Sequence, residues 1–558
     1  MRNFDSKKST IIYSILRGLF IITIPLLFMS SFSPAFHKQQ SAEQESDPNS
    51  IIINDKDLGR IRLSNLKVPS GINASRATYT YSGKVLLYGS EAGNINYAII
   101  NDDGTGYREI WSGPIPPRGG GNGIRQMPFE DNKRILLGDY VLECIPDIDQ
   151  CVDAKLIPIK YPDNIMNDNK TAMHWSEVII SPDNVHMAWT TLRFDGHADF
   201  IGKLVRYEDK YVLEDVRIIS TLNNFIEDPE HEEYIIPQTL YGGEVKQFAR
   251  GGAAITTVGV FHSGITNSML QSLTSSEIRS ITNQPGYEET TIISPDGKLG
   301  IVMSTRGSDK TNCAIAGLMP RPNSVYVTMP LIGHVYRYSV TGVRNGTRVG
   351  NIGPVLIDIN KSMQSENYDG VQLNDPAGEW VYVSPISWKN DNRKGLWIER
   401  SKIGNGIRFR IAELLDYKPS GAEKTIGVLN VDDIPYAQDI SVMESFAPMQ
   451  IDSKKIAGLN SGYAVFSNTD GTEMEYVDYS DDGKNYYNGI EKVYSDGSNL
   501  VYEANVRMTG AKNGVMDFRL TFTSQSVLLF DMAEDGNPMS FGYSEYGGKR
   551  IEVSEMSP

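Results

Sequence analysis

A chain of 558 residues exceeds one ordinary domain, and its 51 glycines, 27 prolines and 29 tyrosines favour many short strands and turns over long helices. The formal net charge of −16 argues against nucleic acid and anionic membrane surfaces as partners, because both call for a basic face. No nucleotide loop, zinc motif or Gly-x-Ser-x-Gly elbow is visible, and nothing in the sequence calls for a cofactor or a metal.

The amino end reads as a targeting segment. Lys7, Lys8 and Arg17 precede the apolar run Gly18–Met29, which has the length of a signal h-region and is short for a membrane span. Ser33-Pro34-Ala35 supplies the small residues that a signal peptidase reads. Residues 1–35 are therefore expected to be a cleaved signal peptide and the protein to be secreted, with no membrane contact after cleavage; an uncleaved anchor is the alternative. Residues 36–50 are polar and expected to be a disordered linker.

Ile51–Val68 alternates apolar and polar residues, as a strand closing a ring of sheets would. The stretch around which the larger part of the chain is organised is Thr290–Asp309, an apolar strand, the turn Ser294-Pro295-Asp296-Gly297, and a second apolar strand. Pro295 presets φ, Asp296 bonds its own backbone and Gly297 supplies a positive φ, so the two strands double back. Related turns precede apolar strands at Thr80–Lys84, Phe129–Lys133, Ser181–Asn184, Phe248–Ala253 and Asp375–Gly378. Units recurring every roughly 45–80 residues fit four-stranded blades with insertions. The expectation is an all-β chain: a six-bladed TolB-like β-propeller over residues 51–430, with seven blades as the alternative.

Cys144 and Cys151 lie seven apart across Pro146-Asp147, which in an oxidising compartment predicts a loop-closing disulfide, two buried thiols being the alternative. Cys313 is left over. Sequons at Asn73, Asn169, Asn345 and Asn360 would be used only in a eukaryotic host. After Tyr417 the blade rhythm stops, and Lys418–Met449 reads as a linker. From 451 to 558, short strands separated by Asp-Gly turns predict a C-terminal β-sandwich. The acidic cluster Asp478, Asp481 and Asp482 is spaced unlike a calcium loop and reads as a solvated turn.

Several of these stretches resemble one family. They are Ile293–Asp309, Ser181–His186, Gly243–Phe248, the Cys144…Cys151 segment followed by IPIKY, and Tyr479–Val493. Together and in this order they are similar to the secreted fungal saponin hydrolases, glycosidases that remove a glucuronic-acid-linked sugar chain from triterpene glycosides. The resemblance runs over nearly the whole mature chain and implies a glycoside, a glucuronide or saponin, as the substrate. A cysteine-bearing stretch of the family's first blade has no counterpart here, which leaves the aglycone open.

The innermost strand of a blade runs along the central channel, so residues four to six places before each turn are expected to face the axis. They are Arg76, Arg125, Ser176 and Glu177 (His174 and Trp175 just before), Glu244, Glu288 with Glu289, and Asp369; Arg306 is a further cation at the far end of its strand. A guanidinium suits a glucuronate carboxylate, Trp175 an apolar sugar face, and two of Glu177, Glu244 and Glu289 the paired roles of glycoside hydrolysis. In that pairing one carboxyl is held protonated by its like-charged neighbour. The family resemblance includes Glu177 and Glu244. Asp183 and Asp296 read as turn formers and His186 as structural. Two other functions fit the scaffold: a polysaccharide lyase acting on uronic-acid glycans, and a non-catalytic binding propeller of the TolB type.

Overall fold

In the computed structural model of the protein, the described residues are 50–556. Excepted are 92, 115–125, 167, 195, 224, 239–242, 260–266, 285–286, 307–318, 323–330, 347–351, 366–367, 375–377, 448, 450–452, 469–470 and 534–535. The expected signal peptide and linker, Arg125, Cys313 and most of the Asp375–Gly378 turn lie outside them.

The chain is all-β, and six blades follow one another among the described residues. Their innermost strands are Arg76–Tyr79, Met127–Pro128, Thr171–Ile180, Gly243–Ala249, Glu288–Ile293 and Trp380–Trp388. Blades two and three join edge to edge where Ile159 and Lys160 run parallel to Tyr211 and Val212. The ring closes in blade six, whose outer strand is amino-terminal: Gly59–Asn65 pairs antiparallel with Ile407–Leu414. The Arg60–Asp416 ion pair lies at the end of that pairing.

Blade one apart, where the Thr80 N–H reaches the Lys84 carbonyl four places on, the hairpin turns share one hydrogen-bond pattern. The residue before the turn donates its N–H to the residue five places on, as Ser181 does to His186 and Ser294 to Leu299. The fourth residue takes a positive φ, 62° at Asn184 and 72° at Gly297. The sixth such turn is Lys389–Lys394, with Asn392 at 59°, and not Asp375–Gly378. Lys-Asn-Asp-Asn carries neither Pro nor Gly, so its punctuation is weak, yet Asn tolerates the left-handed conformation well enough to close the hairpin. Trp380–Trp388 is consequently the inner strand of blade six rather than its second.

The stretch after Tyr417 is strapped across the turns. Asp296 accepts from the Tyr417 hydroxyl at 2.7 Å, Pro295 from the Glu423 N–H, Gly251 from the Ile426 N–H, and Asp183 from the Leu429 N–H. Gln438 and Asp439 then pair with the outer strand of blade three. The turn aspartates therefore do two jobs, since each also binds its own turn: Asp183 accepts from the backbone of Val185 and His186.

The C-terminal β module is one sheet of ten strands, and it is not confined to residues 451–558. Phe225–Glu227 and Tyr234–Pro237, from the connection between blades three and four, extend it, with Tyr234 running parallel to Lys455. One face is covered by Met319, Leu331 and Tyr338, which belong to the long insertion between the second and third strands of blade five. The two layers of the module are thus its sheet and this segment. Val340 and Val343, from the same insertion, pack into the core of blades five and six. Both connections leave the propeller at the rim opposite the hairpin turns, because inner strands begin, and second strands end, at that rim.

Candidate active site

The inner strands of blades three to six share an irregularity. Ladder register shifts between Met173 and Glu177, Val245 and Gln247, Glu288 and Thr291, and Val383 and Ile386. A bulge twists its strand and re-aims side chains, and at three of these bulges a glutamate stands within or beside the irregularity: Glu177, Glu244 and Glu289.

Glu177, Glu244 and Glu289 converge on one lysine that no sequence motif announced. The Lys246 ammonium lies 2.8 Å from Glu244 Oε2, 3.3 Å from Glu177 Oε1 and 3.6 Å from Glu289 Oε1. Its side chain is 1% exposed, against 11%, 14% and 17% for Glu177, Glu244 and Glu289. Lys246 is the extra residue of its bulge, between Val245 and Gln247. Because the bulge breaks the alternation at Lys246, period-two counting along the strand does not place its side chain, and the sequence carried no local signal for it.

A buried polar layer supports Glu244. Gly243 donates its N–H to Nε2 of His197 at 2.8 Å, so the ring is a neutral acceptor there, and burial holds it down at about 4. Asp199, two residues on, accepts from the Thr190 hydroxyl at 2.5 Å, and Thr190 Oγ1 in turn accepts from the Val245 N–H at 3.0 Å. Burial pushes the Asp199 carboxyl up to about 8, Glu244 adding to the rise, so it carries its proton at neutral pH. On the other flank the Tyr287 hydroxyl donates to Glu289 Oε2 at 3.2 Å and packs edge-on against Tyr336 of the blade-five insertion. The site is therefore tied to the segment that carries the C-terminal module.

Other expected site residues are placed elsewhere. Trp175 is 1% exposed, packed in the core between blades two and three, and its indole N–H donates to Asp139. It has no face for a sugar. His174 is buried beside it, Nε2 2.7 Å from the same Asp139 oxygen, and edge-on to Tyr161. Arg306 forms a buried ion pair with Glu288 and also donates to the Tyr368 carbonyl at 2.9 Å. Its guanidinium is thus spent within blade five rather than offered to a ligand. Asp369 is exposed in the loop before the outer strand of blade five, because the inner hairpin of blade six turns at Lys389–Lys394 and the residues before Asp375 still belong to blade five. Arg76 begins the inner strand of blade one, across the six-membered ring from blade four, with its guanidinium 5.9 Å from the Tyr88 ring centroid.

Cys144 and Cys151 are both free thiols, so the expected disulfide is not formed here. Burial first, then the Cys151 thiol, drives the Cys144 pKa upward, away from thiolate chemistry. As expected, His186 is structural: Nδ1 lies 2.6 Å from Asp183 Oδ2 within the turn. Asp482 caps its own turn through the N–H groups of Lys484 and Asn485.

No protein-family model matches the chain, and no curated protein matches it. Solved structures similar to it include TolB from Acinetobacter baumannii, at 12% identity and a TM-score of 0.28 over 62% of this chain and 64% of that one. An oligogalacturonate lyase in complex with manganese aligns at 11% identity and 0.36, over 68% and 99%. A puromycin hydrolase aligns at 12% and 0.30, over 75% and 62%. This chain spans less than two thirds of the TolB and puromycin hydrolase chains. At such identities and scores the likeness carries no argument about this chain. The propeller with its C-terminal β module stands on the strand order itself.

Proposed function

We propose that the chain is a secreted glycoside hydrolase of the saponin-hydrolase kind. It would cleave the bond between a glucuronic-acid-linked sugar chain and a triterpenoid or similar aglycone. The observation that carries this reading is the meeting of Glu177, Glu244 and Glu289, from three consecutive blades, around Lys246 at the channel. Glycoside hydrolysis needs one carboxyl to protonate the leaving oxygen and a second to act at the anomeric carbon or on water. Glu177 and Glu244 both lie within 3.3 Å of one nitrogen. Their nearest oxygens are therefore at most about 6 Å apart, close enough for both carboxyl groups to act on one glycosidic bond. Arg76, which begins the inner strand of the facing blade, is the cation this reading assigns to a substrate carboxylate. Arg306 is not, being held by Glu288.

The test is product analysis after incubation with a panel of glucuronides, neutral glycosides and uronic-acid polymers. Hydrolysis yields a reducing sugar and a free aglycone, whereas a lyase leaves an unsaturated uronic acid. Glu177→Gln and Glu244→Gln are expected to lower turnover on the order of 10²–10⁴ in folded protein. Near-normal turnover in both variants would overturn the assignment, and binding without product in the wild type would favour a non-catalytic propeller.

A further inference from the structure

We infer that Lys246 is the positioning residue of this site: it holds Glu244 as the ionised carboxylate and draws Glu177 and Glu289 to the same point of the channel. The inference rests on the proposed glycoside hydrolysis only for the reaction; the geometry stands without it.

The distances rank the carboxylates. Glu244 makes the one short contact with the ammonium, at 2.8 Å, whereas Glu177 and Glu289 stand at 3.3 and 3.6 Å. A cation within hydrogen-bond reach favours the charged form of its nearest acid most. Glu244 is thereby fixed as nucleophile or base, and the proton donor falls to Glu177 or Glu289, which are farther from the charge. The surroundings reinforce the ranking. Among the described residues, the titratable groups facing Lys246 and its acids include Asp199 and His197 from blade three, Tyr287 from blade five, and the three glutamates themselves. His197 is neutral and Asp199 protonated near neutral pH, so neither competes with Lys246 as a charge. A side chain so deeply covered cannot swing out to solvent to abandon three acids. It acts by fixing them, not by touching substrate.

Two measurements test this, with Lys246→Met and Lys246→Arg compared to wild type. The first needs no activity. Without the ammonium, three mostly covered carboxylates are left at one point with no cation between them, and their mutual repulsion grows as they ionise. Stability is then kept at low pH and lost as pH rises. The melting temperature of Lys246→Met should fall further below wild type with each step from about pH 4 to pH 8. Lys246→Arg should restore most of the difference. A deficit that is constant with pH, or not rescued by arginine, overturns the inference whatever the enzyme does. The second reads the reaction: in Lys246→Met the acidic limb of the kcat/KM profile should move up by about 1–3 pH units, the displacement a removed neighbouring cation produces. An unmoved limb in a folded variant also overturns it. A wild type inactive on every glycoside offered refutes the proposed function, and the melting series then decides the role of Lys246 alone.

Discussion

Replacing Asp199 by Asn should stabilise blade three, and by more as the pH rises. Asp199 sits on Gly196–Arg206, fully enclosed behind Glu244, and burial raises its carboxyl to about 8. An aspartate in the unfolded chain titrates near ~3.9, so folding between these values requires uptake of one proton. The sign is set by that uptake: the contribution of this group is intact below about pH 4 and is lost as pH climbs toward its folded value. The slope is about 1.4 kcal/mol per pH unit, which accumulates to an upper bound of about 4 kcal/mol at pH 7. Asparagine needs no proton and escapes that cost. Against the gain stands about 1 kcal/mol if the amide oxygen meets the Thr190 hydroxyl less well than the carboxyl does. Melting curves of both proteins between about pH 5 and pH 8 should therefore diverge in favour of Asn, and the amides of His186–Arg193 should exchange more slowly in the variant at the upper end. Parallel pH profiles, or a variant less stable throughout, would mean that Asp199 is ionised in the native protein and that the support of Glu244 has been misread.

Buried pairs and the two thiols give four further outcomes. Arg321→Met should cost the C-terminal module about 3–5 kcal/mol by stranding Glu491, which Arg321 meets at 2.9 Å with both side chains fully covered, and a separate, lowered unfolding transition in calorimetry would register it. Burial pushes the Asp183 carboxyl up, but His186 and the turn N–H groups outweigh it and hold it at about 2. Its stabilisation is present above pH ~4 and lost as pH falls through the folded value, so Asp183→Asn should cost about 2 kcal/mol at neutral pH, little near pH 2, and open the strap near Leu429 to proteases. Arg306→Ala should destabilise blade five by stranding Glu288 and lower activity on every substrate alike; a loss of activity confined to glucuronides would restore Arg306 to the site. Alkylation after unfolding without reductant should label Cys144 and Cys151 separately, and a linked peptide would contradict the free thiols.

Much of the blade rhythm was legible because a hairpin turn is a local event: Pro295, Asp296 and Gly297 dictate their own dihedral angles, and Asp183 caps its own backbone. The same locality explains the miss in blade six, where Asn392 does the work of Gly297 without a proline before it. The glutamates could be placed on the inner strands by counting back from the turns. That counting failed for Trp175 and His174, because the bulge between Met173 and Glu177 breaks the alternation and turns both into the core beside Asp139.

The sequence by itself determined the all-β class, the repeat, the closing strand at Gly59–Asn65 and the positions of three channel glutamates, since each is set by turn chemistry or period-two patterning within a few residues. Only the tertiary structure decided what those glutamates meet. Glu177 and Lys246 are 69 positions apart and the third acid comes from the next blade. An ammonium becomes the centre of three carboxylates through ring closure and the bulge at Val245–Gln247, not through any spacing along the chain. Likewise, that Arg306 belongs to Glu288 and that the strap crosses three turns are facts of packing: a charge takes the partner that excludes water beside it, and no local pattern records which one that is.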